Sequence, residues 1–565
     1  MRIQLRCNNP IMALALICAH CSGSCQLSAT ISSPDPCTLL AVNYGSPSST
    51  AGENSVADRC AAIMNGGKTY EAQACFEKIL RRHPRSVVAH TYLGMLADTR
   101  GDLTQAAKEF GIALRESPGS ASVRNNYGVI LARQGKQAEA ARQFEASLRL
   151  NPAQASTLVN LAEIHFSMGS PENLQKAREF LIRARALDPD LKIARSLVVV
   201  DLRSKDTKTA AEDYKVYSVL VGQPAAQQTP AEMSPRSPDQ RRELGDLLVA
   251  GNLPSYGFTE LEAALAGNPS DPENVLHLAR AQFEQKQIPL AGRTLESALA
   301  QGMVNAKIYA LLAEIYEASD HIENAVPAML LAIEQDPKNQ EYRFRYGMLL
   351  VDTKAPQAGI IRLQEAVKLF PDSSRLWFGL GLAQFQDHKN EAADESFRRA
   401  LRLDPKSIPS LAYLGVLALE AGRYGEAKTS YQRCIELNPK VGIVHYLLSE
   451  VIQKEQSPDL KRAEEELIKA RNLDPGFAPA RLALGKLYLA NGREGEALTE
   501  LQEAIRLQPG VPEAHYHLAR AYQRSKKLEE AKGEFDVFKT LSAAEKDRAV
   551  RERKELVSKL AKVKF

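Results

Sequence analysis

The segment AAKEFGIALRESP ends at Pro118, and 34 residues later AARQFEASLRLNP ends at Pro152. The same pattern closes at Pro189, Pro371, Pro405, Pro439, Pro475 and Pro509, and the steps from Pro337 to Pro371, Pro405 and Pro439 are 34 residues each. A period of this length decides the architecture before any other feature of a sequence does. Each unit holds two stretches with apolar residues three and four apart, the spacing of amphipathic helices, and a proline that stops the second. A chain of 565 residues would ordinarily suggest several domains. Units of this size instead stack into a quasi-linear body in which each touches only its neighbours.

Counted from the third residue after each proline, the seventh and eleventh places are large and apolar. The eighth is small, as at Gly94, Gly128, Ala162, Gly381 and Gly415, and so is the twentieth, as at Ala106, Ala140, Ala393 and Ala427. Glycine inside a helix costs about 1 kcal/mol relative to alanine, so its recurrence needs a packing reason. Two antiparallel helices with small residues facing each other approach closely, and Phe110, Phe144, Phe397 and Tyr431 at the twenty-fourth place fill the gap beside them. This pattern resembles the tetratricopeptide repeat (TPR), and LWFGLGLAQFQDHKNEAADESFRRALRLDP (376–405), with Trp377, matches it almost fully. Fourteen units start near Glu53, Val87, Ala121, Ala155, Lys192, Pro238, Pro272, Ala306, Gln340, Ser374, Ile408, Gly442, Ala478 and Pro512. The resemblance covers about 53 to 540 and implies an all-α superhelical solenoid of antiparallel helix pairs.

The helical pattern is interrupted by GQPAAQQTPAEMSPRSP (222–238), with four prolines. We therefore expect two arrays, 53–221 and 238–540, joined by a Pro-rich linker (222–237) that lets them pivot; a surface loop between continuously stacked repeats is the alternative. Residues 541–565 read as a C-terminal capping helix, with Ser542 and Glu545 as its capping box and Leu556, Leu560 and Val563 in its apolar stripe. Its basic excess is about the whole chain's +4, from 72 basic and 68 acidic residues, so the repeats are balanced in charge and no nucleic-acid partner is expected. At the other end, Arg2 and Arg6, the apolar run Ile11–Cys18 and the small residues after it form the layout of a signal peptide over 1–24. Residues 25–52 are then a flexible tether. Cleavage before Cys21 or Cys25 would instead leave a cysteine for lipidation, and with it membrane association.

Few motifs of chemistry appear. The sequence has no phosphate loop ending in Lys-Ser/Thr, no His-Glu-x-x-His and no Gly-x-Ser-x-Gly. His90, His445 and His515 share the fourth place of their units, which reads as a core or boundary role, and Glu464 and Glu466 read as solvated helix surface. Cys18, His20, Cys21 and Cys25 lack the paired-knuckle spacing of a zinc site. Cys60 and Cys75 lie on the two helices of the first unit, free to pair with each other, with Cys37, or to remain buried thiols; Cys434 reads as core. We expect no enzyme, no cofactor and no metal.

What the resemblance implies is binding: first helices of TPR arrays line a groove that holds a peptide or a partner's helix. The groove-facing places are the second, fifth, sixth, ninth and twelfth. In the family, asparagines stacked at the sixth place hold a peptide backbone, and Asn126 and Asn160 occupy it here. The clamp for acidic chaperone tails fails, because Thr91, Met95, Ser156 and Asn160 stand where it needs Lys, Asn, Lys and Arg. Phe344, Met348, Phe378, Leu382, Phe385, Val416, Leu419 and Tyr446 occupy groove places in four consecutive units. We expect them on a face that repeat packing leaves open, an apolar floor for an amphipathic helix or hydrophobic peptide. Charged rims would flank it, with Glu314 and Glu317 on one side and Lys486, Arg520 and Arg524 on the other.

The sequence thus predicts a non-enzymatic protein-binding scaffold, exported to the periplasm or outer membrane of a bacterial envelope. The alternatives are a cytoplasmic scaffold, an accessory or remnant of an O-linked N-acetylglucosamine-transferase-like protein, and a homo-oligomer whose groove takes another copy's C-terminal helix.

Overall fold

The computed structural model describes residues 54–222, 237–353 and 356–543. Among the described residues lie 28 helices and no strand, from Asn54–Asn65 to Leu528–Ala543. They form fourteen antiparallel pairs, here called repeats one to fourteen. First helices begin at the expected residues, except that repeats one and five start at Asn54 and Leu191, one residue from Glu53 and Lys192. The expected signal peptide, tether, most of the linker and the capping helix from residue 544 lie outside the described residues.

Local chemistry explains these boundaries. Ser86, Ser120, Ser373 and Ser407 each stand before a first helix and accept a hydrogen bond from the backbone N–H three residues on. Such caps stabilise a helix by about 1 kcal/mol over alanine. The turn inside most pairs holds one left-handed residue. Gly101 supplies it at φ 77°, and where glycine is missing His388 is forced to φ 60° and Lys286 to φ 61°.

Packing follows the small-residue logic. A Cβ added at Gly128 would sit 2.7 Å from the Phe144 ring, and one at Gly415 would sit 2.5 Å from Tyr431. The eighth place is therefore bare because the twenty-fourth lies on it. Ala106, Ala140, Ala393 and Ala427 at the twentieth place are all fully buried. Cys434 is buried as expected, and burial pushes its thiol up to about 12.

Two compact units divide the described chain within the helix Ile288–Ala300, one up to Thr294 and one from Leu295. The first contains the Pro-rich break, and there the expected pivot is corrected. Tyr214 of repeat five stacks on Tyr256 of repeat six with ring centres 4.6 Å apart and donates to Glu260 at 2.8 Å. Arg195 meets Glu243 at 2.6 Å, and Tyr214, Tyr217, Leu244 and Leu248 share one buried cluster. Repeats five and six thus stack directly, because the apolar faces they must bury are the same as at any other junction. In repeat one, Cys60 and Cys75 form a disulfide between the two helices, with Cα atoms 5.6 Å apart.

Candidate partner-binding face

The fourth place of the first helix has a job that sequence reasoning did not assign. His90 Nε2 donates to the Pro84 carbonyl at 3.0 Å, Arg124 Nη2 to Pro118 at 2.8 Å, Arg343 Nη2 to Pro337 at 2.9 Å and Trp377 Nε1 to Pro371 at 2.8 Å. His445, Arg481 and His515 do the same to Pro439, Pro475 and Pro509. A proline cannot donate, but its carbonyl still accepts, and in these seven repeats a donor six residues later ties the first helix to the preceding turn. The signal was visible as a fixed donor-to-proline spacing at varying residue type.

The three histidines add a second bond. Their Nδ1 atoms lie 2.6 Å from Glu109, 2.5 Å from Glu466 and 2.5 Å from Glu534. In each of the three, both ring nitrogens face acceptors, so one ring bridges the preceding turn and the second helix. Burial opposes a charged ring at His90, but the bonds to Glu109 and the Pro84 carbonyl outweigh it and raise its pKa. The histidines are buried, within the core or boundary role expected of them. Glu466 is not the solvated residue expected: it is buried, bonded to His445 and Lys469, and these bonds hold its carboxyl low against the effect of burial. Glu464, at the other expected solvated position, pairs with Arg493 at 2.8 Å.

The apolar groove floor is also corrected. Phe378, Leu382, Val416 and Leu419 are buried, and Phe344, Met348, Phe385 and Tyr446 are half-buried against the same cluster. The reason is that successive first helices meet through these places. A Cβ on Gly379 would lie 2.8 Å from the Phe344 ring, and Phe378 and Phe385 both set their rings 5.7 Å from Tyr413 of the next repeat. At Phe344 and Phe378 the fifth place of one repeat fills the sixth of the next, so these rings join repeats rather than line an open surface.

Asn126 and Asn160 are buried too. Asn160 Nδ2 donates to Asn125 Oδ1 of the previous repeat at 3.1 Å, where Thr157 Oγ1 also donates at 3.0 Å. The amide of Asn160 is spent between helices, which removes it from the expected peptide ladder. Asn126 keeps a sealed Nδ2 without a hydrogen-bond partner. Glu314 and Glu317, expected on a charged rim, are buried and both bond to the buried Arg345 of repeat nine.

An opening does exist one step along the chain. A cavity of about 160 Å³ lies between repeats twelve, thirteen and fourteen, lined among others by Tyr446, Phe477, Leu482, Lys486, Val511 and Glu513. Tyr446 and Leu482 hold the fifth place of their repeats, Lys486 the ninth and Glu513 the second, all groove places. Tyr446 meets Phe477 edge-on at 5.3 Å, and Lys486 Nζ bonds Glu513 at 2.5 Å. His517 and Lys486 together hold the Glu513 carboxyl well below its ordinary range, against burial. An apolar cavity of about 150 Å³ suffices to bind benzene, so this one has room for one large apolar side chain. Among the described residues no group of three or more His, Cys, Asp or Glu is placed to hold a metal, and no helix is long and apolar enough to cross a membrane.

Comparison with known proteins agrees with this architecture. Family models described as tetratricopeptide repeat match residues 64–121, 93–155, 128–192, 258–315, 306–339, 356–408 and 409–441, and one described as TPR repeat matches 485–526. The chain belongs to the tetratricopeptide repeat family. It is similar to anaphase-promoting complex subunit 3 of Schizosaccharomyces pombe, 22% identical over 210 residues that make up 37% of this chain and 31% of that protein. It is also similar to the type IV pilus assembly protein PilF of Pseudomonas aeruginosa, 30% identical over 138 residues, 24% of this chain and 52% of that protein. The chain thus spans between about a third and about half the length of these relatives. Among solved structures, the APC/C hetero-tetramer Cut9–Hcn1 aligns over 84% of this chain and 96% of that one, with a TM-score of 0.37 and 15% identity.

Proposed function

We propose that this protein is a non-enzymatic scaffold that holds a peptide or amphipathic helix of another protein against the first-helix face of repeats twelve to fourteen. The observation that carries this reading is the cavity beside Tyr446, Phe477 and Leu482 with the Lys486–Glu513 pair at its edge. It combines a hole sized for one apolar anchor with polar groups that orient what enters, which is how partner sites concentrate their binding energy. The site lies one to two repeats beyond the groove expected from sequence, and Tyr446 belongs to both. TPR proteins in general bind protein partners, and the names of the relatives speak of subunits and assembly. Placement in a bacterial envelope is supported by the signal-like N-terminus and by the Cys60–Cys75 disulfide, since disulfides persist in oxidising compartments.

The test compares proteins retained from envelope extract by the parent, by Leu482→Glu and Lys486→Glu variants, and by an Ile361→Glu variant on an exposed second-helix position. All four must give the same circular dichroism. A protein held by the parent and by Ile361→Glu but lost from both cavity variants supports the site. Equal retention by all four removes it.

A further inference from the structure

We infer that the chain closes the cavity of repeats twelve to fourteen on itself: its own segment 544–565 seats an apolar side chain, Leu556 or Leu560, beside Leu482, and a partner has to displace it. This rests on the partner-binding reading above and adds the regulation of that site.

The first sign is where helix caps are given up. The first helices of repeats two, three and five to eleven each follow a Ser, Asp or Asn whose side chain accepts from the first turn. The last three follow Val441, Phe477 and Val511, and none of these caps its helix. Three consecutive starts thus forgo a stabilising bond, and Phe477 and Val511 are walls of the cavity. A local rule of helix design broken repeatedly at one place marks residues kept for function, here for what enters the hole. The walls also include Ala478 and Ala514 at the starts of their first helices, and Ala504 and Gln508 at the end of the second helix Glu494–Leu507. The cavity therefore lies on the edge of the stack where first helices begin and second helices end.

The chain leaves the last repeat on that same edge. Tyr516, early in the helix Pro512–Arg524, meets Phe538, late in the helix Leu528–Ala543, with ring centres 5.3 Å apart. Glu513 and Ala514, just before Tyr516, line the cavity. Residues 544–565 lie outside the described residues, and their sequence supplies the plug. Leu556 and Leu560 are four apart, the spacing that sets two side chains on one helix face. Thirteen residues separate Ala543 from Leu556, a reach of about 20 Å as a helix and about 43 Å extended, against about 8–10 Å between packed helices. A segment tethered this closely stands at an effective concentration on the order of 1 mM, and a free partner must compete with it. Leu528 and Val537, exposed on the last second helix, offer a rival landing. The cavity is favoured because it takes in a whole side chain.

The experiment places a photo-crosslinking amino acid at Leu482 of the purified full chain, with no other protein present, and at Val537 and Ile361 for comparison. Mixtures of ordinary and isotope-labelled chains separate crosslinks within one chain from those between chains. The expected result is a crosslink from 482 into residues 544–565 of the same chain, which Leu556→Asp/Leu560→Asp removes while leaving the circular dichroism unchanged. A fluorescent peptide of residues 544–565 should then bind the Leu556→Asp/Leu560→Asp chain at least threefold more tightly, to order of magnitude, than the parent, whose seat is filled. No crosslink from 482 into the segment, capture of the segment at 537 alone, crosslinks between chains only, or equal peptide binding by the two chains each overturns the inference. If 482 does not reach the segment while Leu482→Glu still loses its partner from extract, this inference alone falls. If 482 does reach it while the cavity variants keep every partner, the cavity serves the chain's own segment and the partner reading falls.

Discussion

His445 Nδ1 lies 2.5 Å from Glu466 Oε2, with both side chains buried and the opposite ring nitrogen on the Pro439 carbonyl. One ring thus ties the two helices of repeat twelve to each other and to the turn that ends repeat eleven. His445→Phe fills the space but makes neither bond and leaves Glu466 buried with Lys469 alone. A hydrogen bond to a charged group contributes about 1.5–3 kcal/mol, so the variant should lose about 2 kcal/mol in urea unfolding. A loss under about 0.5 kcal/mol, the range of ordinary surface changes, would show that the ring does no such work.

His90 makes the same contacts near the start of the array, and there its raised pKa gives a pH dependence. A histidine whose folded pKa is raised adds stability that is complete below its ordinary value of 6.5 and fades as the pH rises through the higher one. Exchange in the helix Val87–Thr99 should therefore quicken from about pH 6 to about pH 8, and a His90→Phe variant should flatten that slope while being less protected at the lower pH. An unchanged slope in the variant would assign the effect elsewhere.

His388 holds φ at 60° in the turn of repeat ten, where Gly101 and Gly422 hold the equivalent turn elsewhere. A left-handed conformation costs a non-glycine residue roughly 1 kcal/mol. Its side chain is exposed, so little packing is lost on removing it. His388→Gly should raise stability by up to about 0.5 kcal/mol, and with it the thermal midpoint, once the entropy that glycine adds to the unfolded chain is subtracted. A lower midpoint would mean that the side chain stabilises the turn.

The Cys60–Cys75 bridge closes a loop of 15 residues in repeat one. Chain-entropy reasoning gives about 3 kcal/mol for such a loop. Because each repeat touches only its neighbours, the effect should be local. Cys60→Ser/Cys75→Ser should leave exchange beyond repeat three unchanged while repeat one loses protection. Loss spread along the whole chain would contradict a nearest-neighbour body.

The bare eighth place, the small twentieth and the large twenty-fourth were legible because each contact closes inside one repeat at fixed spacing, and Gly415 against Tyr431 is the form it takes. The stacking of repeats five and six was hidden by a Pro-rich segment whose composition says nothing about whether Tyr214 and Tyr256 meet. The groove was misread for a related reason. Phe344 and Phe378 occupy places that can face a partner or the next first helix, and the choice depends on how closely successive repeats approach, which the small Gly379 allows. Charge was ambiguous in the same way: Glu317 and Glu466 have the spacing of surface residues, and only their partners Arg345 and His445, on another helix, take them inside.

The central claim is that partners bind beside Leu482. The most direct measurement replaces Leu482 with a photo-crosslinking amino acid in the living source cell, with Ile361 replaced likewise as the outer-surface control, and identifies the crosslinked peptides by mass spectrometry. One protein segment carrying a large apolar residue, captured at 482 and absent at 361, is the result predicted. Capture at 361 with none at 482 would place recognition on the second-helix surface and contradict the account.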